Sequence, residues 1–424
     1  MERTHRNLKF YVGARTAMSV ATQMQSVAIA WFIYERTGRP LDLGLVGLAQ
    51  FLPQFVLSLP AGHMADRFDR RRIMQVCNAA SVVCSLLFLA ITRSEVRALW
   101  PLYAVVMLLS AARAFSGPAS QALLPSLVPT LHPQRAVGWN SLGSQAATIA
   151  GPALGGVLYS VSGSAVAVFT VGALLGMLSL ALLWPIRPTL QVVGGRGAAS
   201  WTELLAGLRF VWREKRILGC ISLDLFAVLL GGAEALLPIF ARDILHVGPW
   251  GLGLLRSAPA IGASLVGAAL VSRPLRRAGG STLLATVALF GAATLTFGLS
   301  RSVLLSLLAL LVLGAADMVS MILRGTLLQF STPAPLRGRV NAVNQLFVGT
   351  SNELGAMESG LMAAWLGIVP AVVLGGVGTC AIVLLWAVLF PELRKPRPQA
   401  ESVTVVPGAS WRRPRASAAN LRES

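Results

Sequence analysis

The sequence predicts an all-α membrane protein whose twelve transmembrane helices form two pseudo-symmetric six-helix bundles. Three observations lead there: long apolar stretches, basic residues gathered in alternate loops, and an internal repeat of 204 residues. The chain has 424 residues, 55% hydrophobic and 12% charged, whereas an ordinary soluble domain carries about 25% charged residues. A deficit of that size points to lipid as the solvent.

About 20 helical residues cross a hydrocarbon core while satisfying their own backbone hydrogen bonds. The first six stretches of that kind run Phe10 to Tyr34, Leu43 to Gly62, Ile73 to Ile91, Leu99 to Leu124, Trp139 to Tyr159 and Ala165 to Trp184. The second six run Ile217 to Phe240, Gly251 to Val271, Leu283 to Leu299, Val303 to Leu328, Val340 to Leu366 and Pro370 to Phe390. The first span is too long for a signal-peptide apolar region, contains Arg15 and is followed by Tyr34-Glu35-Arg36 instead of small residues, so it is expected to stay in the mature chain.

Lys and Arg in short loops set orientation. Of the 36 basic residues, 26 fall on the side that collects the N-terminus, the even-numbered loops and the C-terminal tail, and six on the other. Both termini are therefore expected in the cytoplasm, in a bacterial-type inner membrane. The net charge of +19 becomes a topology signal, and no nucleic-acid partner is needed to explain it. ATP-driven transport within this chain is set aside, because a P-loop needs Gly-Lys and Lys9, Lys215 and Lys395 follow Leu, Glu and Arg. Cys77, Cys84, Cys220 and Cys380 all lie in spans without CxxC spacing, which reads as small apolar packing, not metal binding. No enzyme chemistry, cofactor or metal is expected.

A shift of 204 residues lays Leu123-Leu124 on Leu327-Leu328, Arg135 on Arg339, Asn140 on Asn344, Gly151 on Gly355 and Gly156 on Gly360. A shift near 207 lays Gly44-Leu45 on Gly251-Leu252 and Arg70 on Arg277. Duplicated halves of this kind are a transporter signature. The expected division is a first bundle over 1–186, a cytoplasmic linker over 187–216, a second bundle over 217–391 and a basic, disordered tail over 392–424. In the linker, Ser200 with Glu203 has capping-box spacing, and Trp201, Leu204, Leu205, Leu208, Val211 and Trp212 make an apolar stripe. That stripe predicts an amphipathic helix on the cytoplasmic interface.

A charge at the bilayer centre costs about 2.5 to 3.5 kcal/mol on insertion scales, so each embedded one asks for a reason. Span ten carries Asp317 and Arg324; seven residues are about 700° of helix, which puts both on one face. Span four carries Arg113 with Ser110, Gly117 and Ser120 at helical spacing, and the repeat superposes Arg113 on Asp317. The expectation is that these two face each other across a central wet cavity, as partners that exchange during transport or as a static pair. Asp224 and Glu234 in span seven and Glu353 and Glu358 in span eleven are further candidates for the cavity and for proton coupling. An acid in a low-dielectric wall can take up and release a proton near neutral pH.

The run Gly62-His63-Met64-Ala65-Asp66-Arg67-Phe68-Asp69-Arg70-Arg71-Arg72 closes span two with a glycine for close helix approach, an aspartate able to cap a helix, and arginines able to pair with carboxylates. Gly151-Pro152-Ala153-Leu154-Gly155-Gly156 combines close-packing glycines with a helix-bending proline. These segments resemble those of the major facilitator superfamily. Gly62, Asp66, Arg67, Arg70 and Arg71 match its motif A, with Asp69 where the usual pattern has Gly; the resemblance implies a cytoplasmic gate there. Leu109, Arg113 and Gly117 resemble motif B, whose Arg is linked to proton coupling. Gly151, Pro152, Gly155 and Gly156 resemble the antiporter motif C.

Along almost its whole length the chain looks most like the enterobactin-exporter and macrolide-efflux branch. The stretches from Glu203 to Phe210 and Thr332 to Asn341 carry much of that impression. The resemblance implies a monomeric major facilitator fold that exports a small amphiphilic molecule, a siderophore, macrolide or other drug, in exchange for protons. Uptake by symport is the alternative, and a receptor or channel fits less well.

Overall fold

A computed structural model describes residues 2–94, 98–127, 133–186, 201–273 and 279–394. The described residues are helical almost throughout. The first half holds α1 (Glu2–Thr37), α2 (Pro40–Arg67), α3 (Arg70–Arg93), α4 (Trp100–Leu127), α5 (Pro133–Ser162) and α6 (Ala165–Leu183). After α7 (Trp201–Arg213), the second half holds α8 (Lys215–Leu230), the short α9 (Leu237–Ile239), α10 (Gly248–Ser272), α11 (Gly280–Leu299), α12 (Val303–Ser331), α13 (Arg337–Leu366) and α14 (Ile368–Leu389).

Local chemistry sets many of the boundaries. Pro40 opens α2 where no intrahelical N–H is required. Asp69 caps α3 by accepting from the Arg71 N–H at 2.9 Å, and Ser164 caps α6 by accepting from the Val166 N–H at 3.2 Å. Gly38, Gly163, Gly248 and Gly367 all take left-handed backbone at tight turns. Those four turns lie on one side of the molecule, called here the turn face. The chain's first helix starts, and its last helix ends, at the opposite terminal face. Gly163 and Gly367 are a repeat apart, so the duplication extends to loop geometry.

Span seven departs from its expected single helix over Ile217 to Phe240. The helix stops at Leu230, and after Gly231-Gly232 the chain passes through a 3-10 turn (Ala233–Leu236), α9 and a π turn (Phe240–Ile244). Tandem glycines weaken a helix, and here they permit close contact. A Cβ on Gly232 would lie 2.7 Å from the Gly355 carbonyl oxygen of α13, and one on Gly231 would lie 2.6 Å from Phe290 of α11.

Nine helical segments among the described residues are long and apolar enough to cross a bilayer, and α1, α5 and α13 are not among them. The last two have a physical reason to be more polar: α5 packs on both α1 and α10, and α13 on both α2 and α8, so less of either faces lipid. Outward faces are apolar, with Val76, Val83, Leu86 and Leu87 exposed on α3 and Leu384, Leu385 and Val388 on α14. Buried polar bonds join helices within each half, among them Gln25 to Ser85 at 2.7 Å, Asn78 to Ser179 at 2.8 Å and Trp386 to Ser222 at 3.0 Å.

The linker positions 187–200, including Ser200, and the tail from 395 lie outside the described residues, as do the side chains of Trp201, Glu203, Leu204 and Leu205. The expected amphipathic helix is present as α7. Its Val211 is fully buried with Ile217, Ile221, Leu328, Val340 and Val343, and a Cβ on Gly207 would meet the Arg339 backbone at 3.0 Å. Part of its apolar stripe therefore docks on the second half instead of lying free on a lipid surface.

Candidate functional site: the space between the halves

The halves meet along two seams, α2 against α13 and α5 against α10. At the turn face these seams are tight. A Cβ on Gly360 would lie 2.6 Å from the Gly44 Cα, and one on Gly253 would lie 2.5 Å from the Pro152 carbonyl oxygen. The Tyr34 hydroxyl donates to Asp243, and Arg242 donates to the Tyr34 carbonyl at 3.1 Å. Deeper in, Ser257 donates to the Ile149 carbonyl at 2.7 Å and Gln145 to Ser264 at 2.7 Å.

One buried apolar cluster spans both halves here, running from Val27, Ile33 and Phe169 to Leu237, Phe240 and Phe297. Toward the terminal face the core divides. Tyr11, Leu123, Leu127 and Leu183 form a cluster of the first half, while Leu223, Leu283 and Leu323 form another in the second. Cβ atoms added to Gly62, Gly117, Gly325 and Gly349 would meet nothing within 4 Å. The space between the halves is thus shut at the turn face and open at the terminal face.

Embedded charges front this space. On α12, Leu304, Leu308 and Val312 form an exposed apolar strip; Asp317 and Met321, also exposed, fall about 180° and 140° from its centre at 100° per residue. They face inward. On α4, Arg113 likewise lies about 140–180° from the exposed Ala104 and Leu108, on the face that carries Gly117 and Ser120. Arg113 is in electrostatic range of Glu353 on α13 and of Arg256 on α10. Arg256 is also in range of Glu234 and donates to the Ser26 carbonyl of α1 at 3.4 Å. Glu234 in turn is in range of Asp317. The result is a chain of alternating charge, Arg113, Glu353, Arg256, Glu234, that ends on Asp317.

Several expectations change. Arg113 and Asp317 share the space but not a bond: the acid facing Arg113 is Glu353, and the neighbour of Asp317 is Glu234. Arg324 does not line the space with Asp317. It forms an ion pair with Asp224 in which the side chains are 6% and 9% exposed, so both are sealed between α8 and α12. The break after Leu230 also separates Asp224 from Glu234, which is exposed, and the two do not share one helical face. Glu358 is half-buried on α13 beside Ser359.

Motif-A residues act within the first half. Arg70 donates to the Ala65 carbonyl at 3.3 Å and the Ala122 carbonyl at 3.0 Å, and Arg71 donates to the carbonyls of Leu183 and Trp184. Together they fasten the start of α3 to the ends of α2, α4 and α6. Arg67 is exposed, and the Asp66 side chain lies outside the described residues. Asp69, the residue that departs from the motif, caps α3 by accepting from the Arg71 N–H. Gly62, expected at a close helix contact, faces open space. In α5, Cβ atoms on Gly151 and Gly155 would meet Gln23 and Met24 of α1, whereas Gly156 abuts Gly253 across the seam. Pro152 presents its carbonyl oxygen at that same contact.

Arg256 and Arg15 also lie within the predicted spans, with no role legible for either in the sequence. Both belong to this site: Arg256 links Glu353 to Glu234, and Arg15 donates to the Ser120 hydroxyl on the Arg113 face of α4. Their signal was available, since only four of the 36 basic residues lie within spans. A separate small pocket, lined by Arg216, Cys220, Gly280, Leu327 and Glu392, sits at the terminal end of the second half and includes none of these residues.

The profile of a family described as transmembrane secretion effector matches residues 8–423. The enterobactin exporter EntS of Citrobacter koseri is 27% identical over 404 residues, covering 93% of this chain and 94% of that one. The multidrug efflux pump Tap of Mycobacterium tuberculosis is 28% identical over 393 residues, covering 85% and 88%. Among solved structures, the nucleoside transporter NupG superposes with a TM-score of 0.72 at 14% identity, covering 92% of this chain and 99% of that one. An inward-facing bacterial homologue of the human lysosomal transporter Spinster superposes with a TM-score of 0.69 at 16% identity, covering 92% and 98%.

Proposed function

The chain belongs to the transmembrane secretion effector family of major facilitator transporters, and from that premise we propose that it is a proton-coupled exporter of a small amphiphilic molecule. Twelve helices cross a bacterial inner membrane, with both termini in the cytoplasm and the protein working as a monomer. Residues 1–186 and 217–391 rock as two bodies about the α2–α13 and α5–α10 seams, giving access to each side in turn. The open terminal face is then the cytoplasmic one, from which an exporter loads.

The observation that carries this reading is the shared apolar core at the turn face and its division into separate cores toward the terminal face. Packed cores are bistable and do not deform continuously, so closing one end opens the other. Glu353 supplies the coupling. Ionised, it attracts Arg113 of the first half; protonated, it leaves Arg113 and Arg256 to repel each other across the gap. A proton taken up on one side therefore biases the rocking equilibrium. Export, and not uptake, is supported by the relatives EntS and Tap.

The test measures accumulation of siderophore, macrolide and dye probes in cells with and without the gene, before and after collapse of the proton gradient. Lower accumulation with the gene, abolished by collapse, is expected. Higher accumulation with the gene instead indicates uptake by symport, and a difference that survives collapse removes the proton from the mechanism.

A further inference from the structure

The two walls of the open space differ in charge. In the described first half, the side chains that carry a charge and are set in helix interiors away from both faces are Arg15 and Arg113, both basic. The second half places Asp224, Glu234, Asp317, Glu353 and Glu358 against Arg256 and Arg324. Asp224 and Arg324 cancel within their sealed pair, which leaves four acids and one arginine. One wall is cationic and the other, on balance, anionic.

Within that arrangement Arg15 and Asp317 stand at opposite ends. Arg15 donates to Ser120, and among the described residues no acid forms an ion pair with it. Asp317 likewise has no ion-pair partner among them, and its electrostatic neighbour Glu234 has the same sign. Asp317 is exposed toward the space, and the Arg113 face of α4 carries Gly117, beside which a Cβ would find no atom within 4 Å. Room exists at both walls. A ligand that enters loses water, and each of its charges is stabilised only where the protein offers the opposite sign at short range.

We infer that the substrate is a zwitterion, seated with its cationic group against Asp317 and Glu234 of the second half and its anionic group against Arg113 and Arg15 of the first. The inference rests on the transporter reading above and adds the charge of the cargo to it. A bipolar cargo also bridges the two halves and screens the repulsion between Glu234 and Asp317. A lipophilic monocation meets the anionic wall but gives Arg15 no counter-charge and leaves Arg113 only Glu353, and a monoanion meets the arginines but gives Asp317 and Glu234 none.

The experiment uses the purified full-length chain and matched probe trios on three apolar scaffolds: a quinolone such as ciprofloxacin, an amino acid of biphenyl and an amino acid of a steroid. Each trio holds the zwitterion, its methyl ester (a cation) and its N-acetyl derivative (an anion). Equilibrium binding is measured at pH 7 in detergent, without a gradient.

On at least one scaffold the zwitterion is expected to bind tenfold or more tightly than either partner. Arg113→Gln is expected to erase the advantage over the ester and keep the advantage over the N-acetyl compound. Asp317→Asn is expected to do the opposite, and Arg113→Lys to restore the first. Ester or N-acetyl compound binding as well as the zwitterion on every scaffold, or no zwitterion binding at all, overturns the inference using the wild-type chain alone. Gradient-driven transport in proteoliposomes is scored separately: charge ranking without transport leaves the inference standing and removes the exporter, and transport without ranking does the reverse.

Discussion

Ser120 on α4 and Arg324 on α12 are 204 residues apart and occupy the same place in the two halves. Each is reached by the first helix of its own half, Ser120 by Arg15 of α1 and Arg324 by Asp224 of α8. In the first half a cation meets a neutral hydroxyl, with the Tyr11 hydroxyl donating to the Ser120 carbonyl at 2.7 Å. In the second half the same slot holds a full ion pair buried on all sides. The comparison teaches that the duplication keeps a position and not a charge. An embedded ion pair sealed between two helices ties them together and has nothing left to offer a ligand, whereas a cation held by a hydroxyl keeps most of its field. Presence of a charge in a span is therefore weak evidence of transport chemistry until its partner is known.

The strongest way to break the comparison is Asp224→Asn. It leaves the Arg324 guanidinium buried without a counter-charge, which costs about 3–5 kcal/mol. Low yield and a clearly lower melting temperature in detergent are expected, with much of the loss recovered in an Asp224→Ala, Arg324→Met double variant. A single variant that melts like the parent shows that the pair is not structural.

Gly360→Val acts on the closed seam, where its side chain would strike α2 at Gly44. Transport is expected to fall tenfold or more while the helical content stays unchanged. Cysteines placed at the turn face should label faster, because the seam no longer closes there. Unchanged labelling means the seam tolerates the bulk.

Glu353→Gln removes a charge that faces the space instead of a sealed partner. Gradient-driven transport should fall about tenfold and lose its dependence on pH, and the melting temperature should move by only a few degrees. Asp317→Asn sharpens the same distinction, since unchanged gradient-driven transport by that variant takes Asp317 out of the coupling mechanism. The smallest stability effect belongs to Arg15→Gln, which exchanges a charged hydrogen bond to Ser120 for a neutral one, a loss of about 1–1.5 kcal/mol. A loss on the scale of Asp224→Asn would mean the two slots are equivalent after all.

Much of the architecture was legible in the chain because it is written in local terms. Apolar runs, the sign of loop charges and the 204-residue spacing need no knowledge of contacts, and the close-packing roles of Gly151, Gly155 and Gly156 follow from residue size. The opposed placement of Arg113 and Asp317 was expected from the 204-residue repeat. Their neighbours were not, because Glu353 and Arg256 lie more than 100 residues from Arg113, and Glu234 comes to Asp317 from a different helix. Nor was the break at Gly231-Gly232, since paired glycines are tolerated inside membrane helices wherever neighbours satisfy the backbone. The cap on α3 was not foreseen, and Asp69 supplies it because it directly precedes the first helical turn.

What the amino-acid sequence determined by itself is the class of the molecule: a duplicated bundle of apolar helices with a few costly charges held inside. Hydrophobicity, periodicity and repetition are properties of single segments, and the bilayer acts on each segment separately. The tertiary structure alone decided which charges neutralise each other, which remain open to a ligand and which face of the bundle is shut. Those outcomes depend on distances between helices remote in sequence, and a shift of one helical turn is enough to exchange a sealed pair for a free charge.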